Sequence, residues 1–242
     1  MEHETNHLGQ PVGLPVPGWT PPPPPPRAAM TGVYCRLEPL DADRHAESLD
    51  AANRLDAEER NWTYLPYGPF AALEDYRAWA KGAAAGTDPM FFAVIDASSG
   101  KAVGVASYMR IDPAKGAIEV GHVNFSPLLQ RHTAATEAVY LMMAQAFALG
   151  YRRFEWKCDA LNEPSRRAAL RLGLSYEGIF RQASVVKGRN RDTAWYSVTD
   201  REWPELQRAI QHWLDKVNFD AAGRQIVALS SLTAPLLRQS GA

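Results

Sequence analysis

The chain has 242 residues and a formal net charge of −1, with 26 lysines and arginines against 27 aspartates and glutamates. This balance gives no support for nucleic-acid binding or membrane-surface attachment, and no apolar run reaches the roughly 18 residues of a membrane-spanning helix. The two cysteines, Cys35 and Cys158, do not make a disulfide framework, so we expect a cytoplasmic protein with one domain and appendages.

The first 31 residues are predicted to be a proline-rich extension. Residues 21–26 are consecutive prolines, which favour a stiff, extended polyproline II segment. Such a segment can be a ligand for a proline-recognition module, or a spacer or arm laid across the body. Leu14, Val16 and Trp19 would have little purpose on a fully disordered tail, so we expect the extension to dock in part on the body.

The folded domain is predicted over residues 32–216 and begins with a strand at residues 33–40. Asp41 is a good N-cap for the helix that follows. An aromatic loop, WTYLPYGPF, then leads to a second helix at residues 74–86. Three strands at residues 90–95, 102–111 and 117–125 form an antiparallel meander, because the turns between them are rich in Asp, Ser, Pro and Gly.

The third of these strands and the elements after it carry the strongest pattern. Its period-2 alternation is interrupted at Gly121 and His122, which indicates a β-bulge, and Pro127 ends it. Apolar residues at helical spacing then predict a helix of about four turns, whose free N–H groups and dipole favour an anion at its start. Residues 152–158 alternate again, and the strand–helix–strand order predicts a strand parallel to the third.

The C-terminal part is predicted to contain a helix opened by Asn162, a pair of strands at residues 175–183 and 193–199, and a helix at residues 201–216. Residues 217–242 show no decisive period, although they carry six aliphatic side chains: Ile226, Val227, Leu229, Leu232, Leu236 and Leu237. We interpret them as an arm that packs on the body or on a second subunit. We expect a homodimer, because exposed apolar patches tend to be interfaces.

Two stretches resemble the signatures of the GNAT superfamily of acyl-coenzyme A-dependent N-acyltransferases. Residues 130–135, QRHTAA, are similar to its pyrophosphate-binding loop, and the following Thr136-Glu137-Ala138 resembles the Rim-type branch that acetylates ribosomal-protein N-termini. The second stretch is similar to another signature of the family. It consists of Asn162-x-x-Ser165 followed by Leu172-Gly173-Leu174 and Glu177-Gly178. Two positions depart from the family pattern: Thr133 stands where glycine is usual, and Ala169 stands where many members carry a tyrosine acid.

The resemblance covers residues 33 to 200 and implies an α+β (α/β) fold. It predicts a mixed central sheet of six to seven strands, mostly antiparallel with a splayed parallel pair, flanked by helices. Acyl-coenzyme A is the implied cosubstrate, with its pantetheine arm in the gap between the splayed strands. The implied cofactor-binding residues are Val123, Asn124, Phe125, Gln130, Arg131, His132, Thr133, Ala134, Ala135, Thr136 and Asn162.

Amide formation from a thioester requires an unprotonated amine and a proton for the leaving thiolate. Ser165 is the candidate proton donor, with plain helix capping as the alternative. Glu119 and His122 are candidate bases, although Glu119 could be a solvated residue and His122 a bulge filler; Ser126 and Asn124 are secondary candidates. Arg166 and Arg167 could contact the 3′-phosphate of coenzyme A, but a solvated helix face is the favoured interpretation.

These features predict transfer of an acyl group, with acetyl favoured, to a primary amine of a protein N-terminus or a small molecule. No metal, nucleic acid or membrane is expected to take part. The alternative is a non-catalytic acyl-coenzyme A-binding or regulatory module, which Thr133 and Ala169 make plausible. A nucleotide-binding doubly wound domain is disfavoured because repeated strand–helix units and a glycine fingerprint after the first strand are lacking.

Overall fold

The computed structural model of the protein describes residues 3–238. The first two residues of the predicted extension and the last four of the predicted arm therefore lie outside the described residues. Two short strands near the N-terminus, β1 (Glu4–Thr5) and β2 (Pro11–Val12), pair as an antiparallel hairpin. Among residues 3–238, no helix is long and apolar enough to cross a membrane.

One mixed sheet of eight strands forms the centre of the molecule. In chain order, its strands are β3 (Met30–Thr31), β4 (Cys35–Pro39), β5 (Met90–Asp96), β6 (Ala102–Asp112), β7 (Ala117–Phe125), β8 (Arg153–Asp159), β9 (Ser175–Val186) and β10 (Arg189–Thr199). The spatial order is β3-β4-β5-β6-β7-β8-β10-β9, and β7 and β8 are the parallel neighbours in an otherwise antiparallel sheet. The predicted fold class is confirmed, with an eighth strand because β3 adds a short edge.

Helices cover both faces of this sheet. They are α1 (Ala42–Asn53), α2 (Leu73–Ala85), α3 (Thr133–Ala148), α4 (Glu163–Arg171), α5 (Trp203–Leu214) and α6 (Leu229–Thr233). Burial of apolar side chains on both faces gives two cores. One lies beneath α3 and α5 and includes Met142 and Ile210, and the other lies beneath α1 and α2 and includes Leu49 and Tyr76.

The N-terminal extension docks in part on the body, as predicted. Trp19 lies beside Gly116, and Pro22, which is buried, lies beside Gly150. Arg27 donates to the carbonyl oxygens of Ala84 and Gly86 at the C-terminal end of α2, where a helix leaves carbonyl groups without internal partners. Val16 is 46% exposed, so it contributes little to this docking.

The start of the first long strand is held by a carboxylate on α3. Glu137 is buried and accepts hydrogen bonds from the backbone N–H groups of Val33, Tyr34 and Cys35, at 2.7, 2.6 and 2.7 Å. Gly32 leaves room for this contact, since a Cβ there would overlap the carboxylate. Glu137 therefore has a structural function that connects α3 to β4.

The C-terminal arm packs on its own chain. Leu229 and Thr233 are buried, and Leu232 and Leu236 pack against the main core. Asn218 connects the arm to the end of α5, because its side chain donates to the carbonyl oxygen of Trp213 and accepts from the N–H of Val227. Three of the six apolar residues that motivated the predicted homodimer thus pack within the chain, whereas Ile226 is 67% exposed, and the homodimer stays a prediction.

Candidate active site

The parallel strands β7 and β8 separate halfway along their length. They pair from Ala117 opposite Arg153 to Val120 opposite Trp156, and the pairing ends there. Just beyond Val120, β7 carries the predicted bulge, where His122 adopts a φ of 50° and two β7 residues oppose one residue of β6. The bulge bends β7 away from β8, because an extra residue locally bends its strand. A gap therefore opens in the sheet, as the sequence predicted.

The N-terminus of α3 opens close to this gap. The helix begins at Thr133, and its N-cap residue His132 provides no side-chain capping bond. Arg131 and His132 are exposed, and Arg131 has a φ of 63° that turns the chain into the helix. Because the first N–H groups of a helix have no internal acceptor, and because the dipole is positive there, this end can bind a phosphate.

Three other residues of the predicted pyrophosphate loop are engaged within the protein. Gln130 donates through Nε2 to Asn61 Oδ1 at 2.7 Å and to the carbonyl oxygen of Phe125 at 2.8 Å. Thr136 is buried, and its hydroxyl accepts from Arg171 at 2.9 Å. Ala134 is buried in the core, whereas Ala135 is partly exposed on the first turn.

The predicted cofactor residues on β7 lie where its partner strand has departed. Val123 and Phe125 are half-buried there, and Asn124 is almost fully buried. Neither amide atom of Asn124 has a hydrogen-bond partner among the described residues, and the same is true of the hydroxyl of Ser126. Buried polar atoms without partners are costly, so this part of β7 is suited to a ligand or to water.

Ser165 lies at the point where the strands part. Its hydroxyl accepts a hydrogen bond from the indole N–H of Trp156 at 3.0 Å, and Trp156 is the last residue of β8 that pairs with β7. The capping function belongs to Asn162 instead, whose side-chain oxygen accepts from the N–H of Ser165 at 3.1 Å. Burial raises the pKa of the neighbouring Cys158 thiol, and a hydrogen bond with Ser165 opposes that shift.

Glu119 is not the solvated residue that strand alternation allowed. It is 2% exposed, and its carboxylate forms ion pairs with Arg110 at 2.7 Å and with Lys157 at 2.9 Å. The contact with Lys157 is an ion pair rather than an aligned hydrogen bond, since Oε2 has no hydrogen-bond partner among the described residues. Burial raises the pKa of Glu119, and the two cations oppose that rise.

His122 fills the bulge, and one nitrogen of its ring is buried without a partner among the described residues. Its ring lies between those of Tyr67 and Phe91, with centroids 5.5 and 5.1 Å away. Burial lowers the pKa of His122 to about 4, and Arg110 and Arg191 add to the shift. The imidazole is therefore neutral at neutral pH, and its Nδ1 has no hydrogen-bond partner among the described residues.

Sequence reasoning identified the aromatic loop but gave Asn61 and Lys187, which help to close the site from above, no function. The aromatic loop and Asn61 just before it bridge the gap, because Asn61 donates to the carbonyl oxygen of Phe125 on one side and Tyr64 donates to that of Leu161 on the other. Lys187, at the tip of the β9–β10 hairpin, donates to the carbonyl oxygens of Trp62 and Gly68. The basic tip of a hairpin was the available signal, but nothing in the sequence says which loop it reaches.

The two arginines considered for the 3′-phosphate are both engaged. Arg166 donates to the hydroxyl of Tyr196 and to the carbonyl oxygen of Ala160, each at 3.2 Å. Arg167 forms an exposed ion pair with Glu163, in line with the favoured interpretation of a solvated helix face. Among the residues that the structure describes, no group of three or more His, Cys, Asp or Glu could hold a metal ion.

Comparison with known proteins supports the family suggested by these features. Residues 35–175 match the Acetyltransferase (GNAT) domain. A GCN5-related N-acetyltransferase from Brucella melitensis is 50% identical, with a TM-score of 0.88 over 90% of this chain and 100% of that one. The fold alone is also similar to that of RimL, a ribosomal L7/L12 alpha-N-protein acetyltransferase, at 20% identity and a TM-score of 0.60 over 69% of this chain and 91% of that one.

A curated relative matches a shorter stretch. The N-acetyltransferase p20 of Bacillus licheniformis is 28% identical over 116 residues, which are 46% of this chain. The chain spans 63% of the length of that relative. With the domain match and the identity to the Brucella melitensis protein, the chain belongs to the GNAT family of acetyltransferases.

Proposed function

We propose that this protein transfers an acyl group from acyl-coenzyme A to the primary amine of a protein N-terminus or a small molecule, with acetyl as the favoured acyl group. The observation that carries the proposal is the gap between β7 and β8, which opens beside the uncapped start of α3. The gap and the helix start together suit an extended ligand with a phosphate at one end. Family membership supports the same conclusion.

The residues around the gap fit acyl-coenzyme A. The N–H groups of the first turn of α3 would hold the pyrophosphate, with Arg131, His132 and Thr133 at the exposed rim. The hydroxyl of Thr133 takes the place of the close backbone approach that glycine allows. Unpaired backbone of β7 beyond Val120 would hold the pantetheine arm. When bound, acyl-coenzyme A supplies the acyl group in activated thioester form.

Ser165 is placed to donate a proton to the leaving sulfur. Its oxygen accepts from the Trp156 indole, so its own hydrogen points elsewhere and can be donated to a sulfur, as its hydrogen bond with Cys158 illustrates. A hydrogen bond accepted by a hydroxyl also polarises it and strengthens it as a donor. Ala169, at the position where many family members carry a tyrosine acid, leaves this task to Ser165.

His122 is the proposed acceptor of the proton that the amine loses. Its imidazole is neutral at neutral pH, and its Nδ1 has no hydrogen-bond partner among the described residues. Glu119 acts differently, because its ion pairs with Arg110 and Lys157 fix its side chain beside the gap. In the reaction the amide C–N bond forms and the thioester C–S bond breaks, while one proton leaves the amine and one reaches the sulfur.

The test is a kinetic comparison of Ser165→Ala, Ser165→Thr and Trp156→Phe. A positioned acid contributes about 10²–10⁴-fold, so Ser165→Ala should lower kcat to that extent while coenzyme A affinity stays unchanged. Ser165→Thr retains a hydroxyl and should recover part of the lost kcat. Trp156→Phe removes the indole donor, and its kcat should lie between those of Ser165→Ala and Ser165→Thr. Near-full turnover in Ser165→Ala would show that the proton comes from solvent and that Ser165 is only a structural residue of α4.

A further inference from the structure

The face of the sheet that carries Glu119 and His122 has a network of ion pairs, and a nearby arginine, Arg191, takes no part in it. We call it the acceptor face. Three carboxylates and three cations form a continuous chain of ion pairs on it: Arg110 with Glu119, Glu119 with Lys157, Lys157 with Glu155, Glu155 with Arg153, and Arg153 with Glu177. These six charges balance, and Arg191 on β10 is left over.

Arg191 is half-buried, and within residues 3–238 no carboxylate lies within 4.0 Å of it and its buried Nε has no hydrogen-bond partner. It lies two residues before Thr193, which pairs with Asp159 at the end of β8 where β7 has already departed. Its positive charge adds to the lowering of the pKa of His122 and opposes the rise that burial causes in the pKa of Cys158. Arg191 therefore lies within electrostatic reach of both strands that border the gap.

Two further polar side chains on the strands beside the gap are unsatisfied. The indole N–H of Trp195, four residues further along β10, is buried without a hydrogen-bond partner among the described residues, and so are the side-chain amide atoms of Asn124 on β7. An indole nitrogen can only donate, and a guanidinium can only donate. A ligand that satisfies these groups must supply acceptor oxygens, and neutralising Arg191 requires a negative charge. A carboxylate meets both conditions, because its geometry matches the donors of a guanidinium.

We propose that Arg191 binds a carboxylate of the substrate on the acceptor face, close to the reacting amine. The inference rests on the proposed acyl transfer and narrows it to reactants that carry this group. Two sources share this chemistry. One is the carboxylate of an amino acid acceptor, and the other is the terminal carboxylate of a dicarboxylic acyl group on the donor.

The experiment measures kcat/KM for thiol release in two arms. One arm compares α-amino acids with their α-amides, using acetyl-coenzyme A, and the other compares succinyl- with acetyl-coenzyme A on a neutral amine. The proteins are the parent, Arg191→Gln, Arg191→Lys and the control Arg189→Gln, which changes an exposed arginine on the same strand. The comparison between parent and variant cancels intrinsic differences in amine basicity.

We expect the parent to have a higher kcat/KM for the carboxylate-bearing compound of the pair in one arm. That arm shows whether the carboxylate belongs to the amino acid acceptor or to the acyl group of the donor. A hydrogen bond to a charged group corresponds to a preference of about 10- to 100-fold in kcat/KM. Arg191→Gln should remove this preference and Arg191→Lys should keep part of it. The control Arg189→Gln should leave it intact. Turnover without a preference in either arm, or a preference that survives in Arg191→Gln, overturns the inference.

A protein without any thiol release would contradict the proposed function, and the inference about Arg191 would then be decided by binding. Isothermal titration of succinyl- and acetyl-coenzyme A, and of an amino acid and its amide, into the parent and Arg191→Gln gives that readout. Tighter binding of a carboxylate-bearing ligand that depends on Arg191 supports the inference. Equal binding of each pair refutes it.

Discussion

Replacing Glu137 by glutamine should strongly destabilise the fold, although Glu137 lies within a stretch that resembles a functional signature. Its carboxylate is the acceptor for three successive backbone N–H groups, and Oε2 alone accepts two of them. The amide keeps one oxygen and turns an NH₂ group toward the remaining donor. At least one part-buried N–H therefore loses its acceptor, and the remaining bonds lose their charge.

The magnitude follows from those contacts. An unsatisfied buried donor costs about 1–3 kcal/mol, and bonds to a charged acceptor exceed neutral ones by about 1 kcal/mol, so Glu137→Gln should cost about 3 kcal/mol. For a chain of this size each kcal/mol lowers Tm by about 2–4 °C, which predicts a fall of about 6–12 °C. Gly32→Ala should act in the same direction, because its Cβ would overlap the carboxylate.

Thermal unfolding followed by circular dichroism measures this effect. The matched control is Glu163→Gln, which removes an exposed ion pair with Arg167 on the surface of α4. Such a pair contributes about 0.3–0.5 kcal/mol, so the control should change Tm by less than about 2 °C. A change in Glu137→Gln no larger than that of the control would refute the anchoring function.

Three further predictions concern the ligand site, the histidine and the arm. Coenzyme A should raise the Tm of the parent but not of Ala135→Asp, whose new charge faces the phosphates while still suiting the first turn of α3; unchanged affinity in a folded variant contradicts the phosphate site. Since the pKa of His122 is lowered from 6.5 to about 4, its neutral form should stabilise the fold above pH 6.5, and this contribution should disappear as the pH falls toward 4. Tm measured against pH should show that decline in the parent and a shallower one in His122→Gln, and equal slopes would contradict the shift. Deleting residues 218–242 removes the buried Leu229 and Thr233 and should lower Tm or cause aggregation, whereas an unchanged Tm would show that the arm is dispensable.

The elements that sequence predicted well are those set by local pattern. The bulge at His122 follows from an interrupted alternation, and the parallel pairing of β7 and β8 follows from their connection through α3. The hairpin of β9 and β10 was predicted too short, because its far end is exposed and lacks apolar alternation. The sheet also begins at Met30, two residues before the predicted boundary, since Met30 is buried in the core.

Other features depend on tertiary contacts that no local pattern shows. Glu119 alternates with apolar neighbours and could face solvent, but both faces of the sheet are covered, so it is buried with its cations. Arg191 and Lys187 belong to a hairpin whose approach to the aromatic loop is decided by the whole fold. Glu137 did leave a signal, because it is an acidic residue beside the apolar stripe of α3 and such a residue requires a partner when buried.

Thiol release by the unmodified protein tests the central proposal most directly. Acyl-coenzyme A donors with acetyl, larger monocarboxylic and dicarboxylic acyl groups are incubated with peptide N-termini, polyamines and amino acids, and free coenzyme A is measured with and without each amine. The proposal predicts release that requires both reactants and an acylated amine of the corresponding mass. Binding of acyl-coenzyme A without amine-dependent release, across the whole panel, would contradict it and favour a non-catalytic binding module.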